Sequence, residues 1–181
     1  PTAPEALQWI HDLQQADKPV AFDIEVMSGE TACIGFANDP HYGYCINFRD
    51  FNNNRFTIEE EREIYREIQK MFHNTDIKFI AQNGNFDGYW LGYKDRIHVP
   101  DIWFDTLLAH HTLYPRLPHS LGFLTSQYTT HPYYKDEGKV WREGGDIDRF
   151  WRYNVKDCAI TYAVHEALLT ELQTQDMSKF F

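Results

Sequence analysis

The octapeptide at residues 19–26, Pro-Val-Ala-Phe-Asp-Ile-Glu-Val, limits what this chain can become more than any other segment. Strand side chains alternate between two faces, so Val20, Phe22, Ile24 and Val26 share one face while Ala21, Asp23 and Glu25 share the other. The two carboxylates therefore point the same way. The apolar run follows the turn signal Lys18-Pro19 and predicts a strand packed on a core. Like charges side by side in such a place cost stability unless a proton, a basic side chain or a metal ion neutralises them. A basic partner would make the pair structural, and a metal would make it a site.

A chain of 181 residues suffices for one domain, residues 1–181, with a substantial core. No apolar run of about 18 residues is present. No basic-then-apolar leader opens the sequence either, so the expectation is a soluble protein of the cytoplasm or another intracellular compartment, with no membrane partner. Cys33, Cys45 and Cys158 lie far apart without a C-x-x-C spacing, which argues for reduced, partly buried thiols rather than a zinc knuckle or disulfide framework. The chain starts at Pro1 rather than Met, as a fragment or a processed product does. Its formal net charge of −10 argues against a surface that tracks phosphates along its length. Clustered carboxylates that hold divalent cations would reverse that argument at one spot.

The first element is predicted to be a helix with Leu7, Ile10 and Leu13 at helical spacing and Glu5 near its start. After the opening strand, residues 31–38 and 41–48 are two β-rich runs separated by Asp39 and Pro40, and the three strands together predict a meander. Thr57 with Glu60 three residues on is a capping-box spacing, and Ile58, Ile64, Ile68, Met71 and Phe72 recur on one side of the helix that follows. Residues 77–82 are expected to form a buried strand, and Asn83-Gly84-Asn85 a turn into a short helix. The second half is more helical, ending in a long helix from about residue 148. Residues 130–146 carry charge, Gly and Pro without a period and are expected to form a mobile loop. This order predicts an α/β domain built on a mixed sheet.

Three acidic signals recur along this frame: Asp23 with Glu25, Asp87 in the first turn after Asn83-Gly84-Asn85-Phe86, and Asp157 four residues after Tyr153 on one face of the last helix. Each alone is weak, since an Asp after a turn is usually a cap. Taken in order, Phe-Asp-Ile-Glu, Asn-Gly-Asn-Phe-Asp and Tyr-Asn-Val-Lys-Asp resemble the three motifs of the DEDD exonucleases, and Tyr-x-x-x-Asp marks the tyrosine branch. Residues 99–129 and 133–144 also resemble segments of the proofreading exonuclease domains of family A bacterial and phage DNA polymerases. The resemblance covers nearly the whole chain.

The resemblance implies a ribonuclease H-like fold, a five-stranded mixed sheet flanked by helices, and 3′-to-5′ removal of nucleotides as 5′-monophosphates. It also implies two divalent ions, Mg²⁺ or Mn²⁺, which favour hard oxygen ligands over Cys or His. Asp23 would bridge both ions, Glu25 and Asp157 would complete the shell of one, and Asp87 would hold the other. Tyr153, with an ordinary pKa of about 10, would orient the attacking water rather than deprotonate it. The histidine branch carries His five residues before the last Asp, where this chain has Arg152. One departure follows the first motif, where Val26 and Met27 stand in place of the expected Thr or Ser.

Other polar residues have plainer readings. Asp105 is first a helix N-cap and only second a fifth ligand. His110, His111 and His119 are expected to be packing or surface residues, because adjacent positions diverge on a helix. Lys135, Lys139 and Arg142 could meet phosphates but are ordinarily solvated. Asn83 and Asn85 serve the turn, with a substrate contact as the minority reading for both and for Phe86. Phe86, Tyr89, Trp90, Tyr133 and Tyr134 could stack on unpaired bases, although most of these rings are expected in the core. The expected partner is the 3′ end of a single or frayed DNA strand, in the setting of a polymerase domain or replication proteins. The alternatives are a ribonuclease D-like trimming enzyme and an inactive exonuclease-like binding module.

Overall fold

The computed structural model describes residues 1–51, 53–99, 101–132, 134–136 and 146–181. Helix α1 (Ala3–Gln15) starts at Thr2, which forms a capping box with Glu5, and buries Ala3, Ala6, Ile10 and Leu13 at a spacing of three to four residues. Strands β1 (Val20–Met27) and β2 (Glu30–Ala37) form an antiparallel hairpin. Its connecting residues, Ser28 and Gly29, both have positive φ, the tight-turn geometry that matches strand twist. Strand β3 (Tyr44–Asn47) pairs antiparallel with β2, completing the predicted meander. A small ribbon of β4 (Arg49–Asp50) and β5 (Asn53–Asn54) leads to α2 (Ile58–Phe72), capped by Thr57 and Glu60 as its sequence requires.

Strand β6 (Phe79–Ala81) then pairs parallel with β1, and helix α3 (Asn85–Trp90) runs into a π-helical turn over Leu91–Asp95. Strand β7 (Phe104–Asp105), which no local pattern announces in its two residues, closes the sheet beside β6 in the order β3-β2-β1-β6-β7. Helices α4 (Thr106–Leu113), α5 (Leu121–Tyr128) and α6 (Ile147–Thr174) follow. Residues 137–145, which include Lys139 and Arg142 of the expected loop, and Tyr133 lie outside the described residues.

The two sheet faces are covered by different helices. Val20, Phe22 and Ile24 of β1 join Ile34 and Phe36 of β2 in one apolar cluster with Ile10 and Leu13 of α1 and Ile64, Ile68 and Phe72 of α2. Ala21, on the opposite face, packs with Ile80, Ile160, Val164 and Leu168 against α4, α5 and α6. Strand β1 is thus buried on both sides, which explains its near-continuous apolar reading and leaves Asp23 and Glu25 facing α6. A β-bulge at Glu25/Val26 ends the regular ladder just beyond the acidic pair.

Helix α6 is long because it must cross this whole second face, and it buries one histidine there. His165 is 4% exposed and meets Phe104 edge-on with ring centroids 4.7 Å apart. Burial pushes its pKa down to about 4. The unfolded chain therefore binds the extra proton between about pH 6.5 and 4, so stability falls as pH drops through that window. The cost reaches about 3 kcal/mol at the 1.36 kcal/mol per pH unit that links a pKa shift to free energy. His165→Leu should flatten this part of the acid limb when thermal midpoints are followed from pH 7 to 4. Equal slopes in the two proteins would show that His165 does not contribute.

Candidate active site

Strand β1 pairs with β6 only at Val20 and Ala21, so Asp23 and Glu25 lie beyond the end of β6. The chain turns there through Asn83, in the left-handed region at φ 59°, and enters α3. Asp87 on α3 accepts a hydrogen bond from the Ile24 amide at 3.0 Å, taking the place of the ladder partner that β6 no longer offers. From the other side, α6 brings Asp157, Tyr153 and Asn154 under β1. The carboxylate oxygens of Asp23, Glu25 and Asp157 lie within 4.8 Å of one another. Asp87 stands outside that cluster of three but close enough that its charge acts on Asp23.

Packing makes this approach possible. Gly35 lies opposite Asp23 in the β1/β2 register, and a Cβ there would sit 2.3 Å from Asn154 Oδ1 and 2.7 Å from Cys158 Sγ. With no side chain at Gly35, α6 comes close enough for Asn154 Nδ2 to donate to Asp23 Oδ2 at 2.9 Å and to Asp23 O at 3.2 Å. Asn154 is fully buried.

The electrostatics follow from the crowding. Burial, then the charges of Asp87, Asp157 and Glu25, hold the Asp23 carboxyl well above the ordinary carboxylate range. Burial likewise raises Asp87 to about 7, against the pull of its backbone hydrogen bonds. Asp157 is also raised by burial, although a neighbouring cation offsets it. That cation is Lys135, whose Nζ lies 2.6 Å from Asp157 Oδ2 and donates to Tyr153 Oη at 3.0 Å. Tyr134 donates its hydroxyl to the other oxygen of Asp157.

Lys135 and Tyr134 are thus part of the site's wall, a role that their loop sequence did not signal. Tyr134 is buried as expected of a core ring, but the expectation of core placement fails for Phe86 and Tyr89, which are 51% and 69% exposed. They sit on the outward side of a helix whose inner side is taken by Asp87 and Leu91. Asn83 and Asn85 are exposed at the turn, beside Phe86. Asp105 is the N-cap that its sequence indicates, accepting from Leu107 N, and it also accepts from the amides of Asn83 and Gly84. It staples the turn that positions Asp87, a link between segments that spacing does not reveal. His110 is buried and His111 exposed, as adjacent helix positions require, yet both reach His119, at 2.7 and 3.1 Å.

Residues 2–173 match the family described as 3′-5′ exonuclease. The chain belongs to that family. It is 26% identical over 181 residues to DNA polymerase I of Borreliella burgdorferi, covering 94% of this chain and 19% of that protein. The chain therefore spans about a fifth of the length of this relative. Among solved structures, the catalytic core of RRP6 from Trypanosoma brucei superposes with a TM-score of 0.73 at 17% identity, over 97% of this chain and 46% of that one. The RNase D of Trypanosoma brucei, solved in complex with RNA U12, gives 0.69 at 12% identity over 93% and 60%. The POL domain of Pol1 from M. smegmatis, in complex with DNA primer-template and dNTP, gives 0.66 at 13% over 96% and 27%. These likenesses place the exonuclease chain in the ribonuclease H-like fold, an α/β sheet flanked by helices, as its motifs imply. Among the described residues, no helix is long and apolar enough to cross a membrane.

The close approach at Gly35 yields a direct test. Gly35→Ala should destabilise the protein by about 1–3 kcal/mol, the usual cost of overpacking. The same change in an Asn154→Ala background should cost less, because the atom nearest the new Cβ is gone. A double-mutant cycle on denaturation midpoints reads the coupling, and additive effects would refute the contact.

Proposed function

We propose that this domain, residues 1–181, hydrolyses the terminal phosphodiester at the 3′ end of a single or frayed DNA strand, as a proofreading activity does. The observation that carries the reading is the gathering of Asp23, Glu25 and Asp157 oxygens within 4.8 Å, with Tyr153 one turn before Asp157 on α6. Family membership supports exonuclease chemistry, and the sequence relationship to a DNA polymerase I favours DNA over RNA.

The donor set fits hard divalent cations, because it offers clustered carboxylate oxygens without sulfur or imidazole. Asp23, Glu25, Asp157 and Asp87 would hold two Mg²⁺ or Mn²⁺ ions. Such ions, when bound, supply charge neutralisation at the phosphate and activation of water. The protein's own groups do the positioning. Asp23 is held by Asn154 and Asp87 by the Ile24 amide, so neither carboxylate has to be ordered when the strand arrives. Lys135 donates to the Tyr153 oxygen and the Tyr153 hydroxyl is in turn hydrogen-bonded to Asp157, so the phenol is held at the edge of the cluster, where it would help to orient the water or a phosphoryl oxygen. Burial raises the Tyr153 pKa to about 12, so the phenol stays protonated in that role. Asn83, Asn85 and Phe86, all exposed around the turn that precedes Asp87, would meet the terminal nucleotide in this reading. The water oxygen bonds to phosphorus as the bond to the 3′ oxygen breaks. The mononucleotide leaves with its 5′-phosphate, and the shortened strand keeps a 3′ hydroxyl.

A time course on 5′-labelled, 3′-tailed DNA and matching RNA, with Mg²⁺, Mn²⁺ or EDTA, tests this reading. The expected result is a metal-dependent ladder shortening from the 3′ end of DNA. Faster shortening of RNA would move the assignment to RNA trimming, and an intact strand in a folded sample would move it to a binding module. Asp23→Ala and Asp157→Ala should abolish the ladder. Asp23→Ala should also hold or raise the metal-free thermal midpoint at pH 8, because it removes one buried like charge from the cluster.

A further inference from the structure

The acidic cluster already holds a cation that belongs to the chain itself. Lys135 Nζ lies 2.6 Å from Asp157 Oδ2 and 3.0 Å from Tyr153 Oη. It also sits against two ring faces, 4.9 Å from the Tyr153 centroid and 5.2 Å from that of Tyr134. The side chain is only 22% exposed, so it has exchanged most of its water for these partners.

Consecutive residues build this seat. Tyr134 donates its hydroxyl to Asp157 Oδ1 while Lys135 donates to Oδ2, so one short segment engages both oxygens of a carboxylate that lies within the acidic cluster. The two donors differ in kind. A carboxylate has lone pairs enough to hold a neutral hydroxyl and a metal ion together, but an ammonium on the same oxygen repels the ion. Lys135 thus neutralises Asp157 at an oxygen that a divalent cation would also need.

We propose that Lys135 is a built-in placeholder cation, which occupies Asp157 in the metal-free domain and is expelled from it when a divalent ion loads. This rests on the reading of Asp23, Glu25 and Asp157 as metal ligands. Metal loading and the seating of Lys135 are then coupled, and the coupling is reciprocal. A contact made in about nine-tenths of the molecules lowers the apparent metal affinity about tenfold, because only the remainder presents a free oxygen. The lysine also serves the metal-free fold. Without it, Asp157 would stand buried and uncompensated beside Asp23 and Glu25 whenever the ion is absent. An ion of single charge has no electrostatic advantage over the ammonium, so the device favours divalent over monovalent cations.

Calorimetric titration of Mn²⁺ into the metal-free chain, without nucleic acid, reads the competition directly. Lys135→Gln should tighten Mn²⁺ binding by about tenfold. Lys156→Gln, which removes an exposed like charge one residue from Asp157, should change it by less than about threefold, because solvent screens that charge. Acetylation by N-hydroxysuccinimidyl acetate, mapped by mass spectrometry, locates the ammonium. Relative to the exposed Lys18, Lys135 should react about five- to tenfold faster with Mn²⁺ than in EDTA. Labelling uses the wild-type chain, so it decides the point even where Lys135→Gln fails to fold. Mn²⁺ binding with unchanged Lys135 labelling overturns the proposal and leaves the metal reading standing. Tighter binding by Lys135→Gln without a change in wild-type labelling reduces the lysine to a background charge and overturns it as well. Absence of Mn²⁺ binding in both proteins overturns the metal reading together with the proposal, and leaves Lys135 as a structural ion pair.

Discussion

The constraint on which the rest of this structure depends is the burial of the Asp23 carboxyl among three others. Like charges in a desolvated pocket repel, and without compensation they would push β1, α3 and α6 apart. The fold answers with fixed donors: the Asn154 amide on Asp23, the Ile24 amide on Asp87, and Tyr134 and Lys135 on Asp157. The strain that remains is centred on Asp23, whose pKa is raised first by burial and then by the charges of Asp87, Asp157 and Glu25. A buried cluster of this kind is a poor way to stabilise a fold and a good way to attract divalent cations.

Small backbone features far apart in the chain make that pocket possible. Strand β6 stops at Ala81, so the edge of β1 at Ile24 is open for Asp87. Gly35 lets α6 approach the hairpin until Asn154 and Cys158 fill the space a side chain would have taken. Asp105 ties the end of β7 to the turn at Asn83 and Gly84, and so sets where α3 begins. Each is a contact between segments distant in sequence. Together they place four carboxyls that no local segment could bring together alone.

Much of the fold was legible because it rests on short-range rules. The alternation in residues 19–26, the capping box at Thr57 and Glu60, and the spacing of Ile64, Ile68, Met71 and Phe72 are dictated by strand and helix geometry, and these elements form as read. Strand β7 was not readable, since two residues have no period and become a strand only because β6 offers a free edge. Phe86 and Tyr89 show the opposite limit. Aromatic residues after a buried motif suggest core, but the bolting of Trp90 to Thr31 fixes the rotation of α3 and turns its neighbours outward.

The sequence by itself determined that Asp23 and Glu25 share a face of a buried strand, that Tyr153 and Asp157 share a face of a helix, and that the motifs follow the order of an exonuclease family. These depend on the periods of strand and helix, which operate within a few residues. Only the tertiary structure decided that Lys135 and Tyr134 reach Asp157, that Asn154 reaches Asp23 across the gap at Gly35, and which rings face solvent. Those outcomes depend on how helices rotate and how closely they approach the sheet, and that is settled by packing across the whole core.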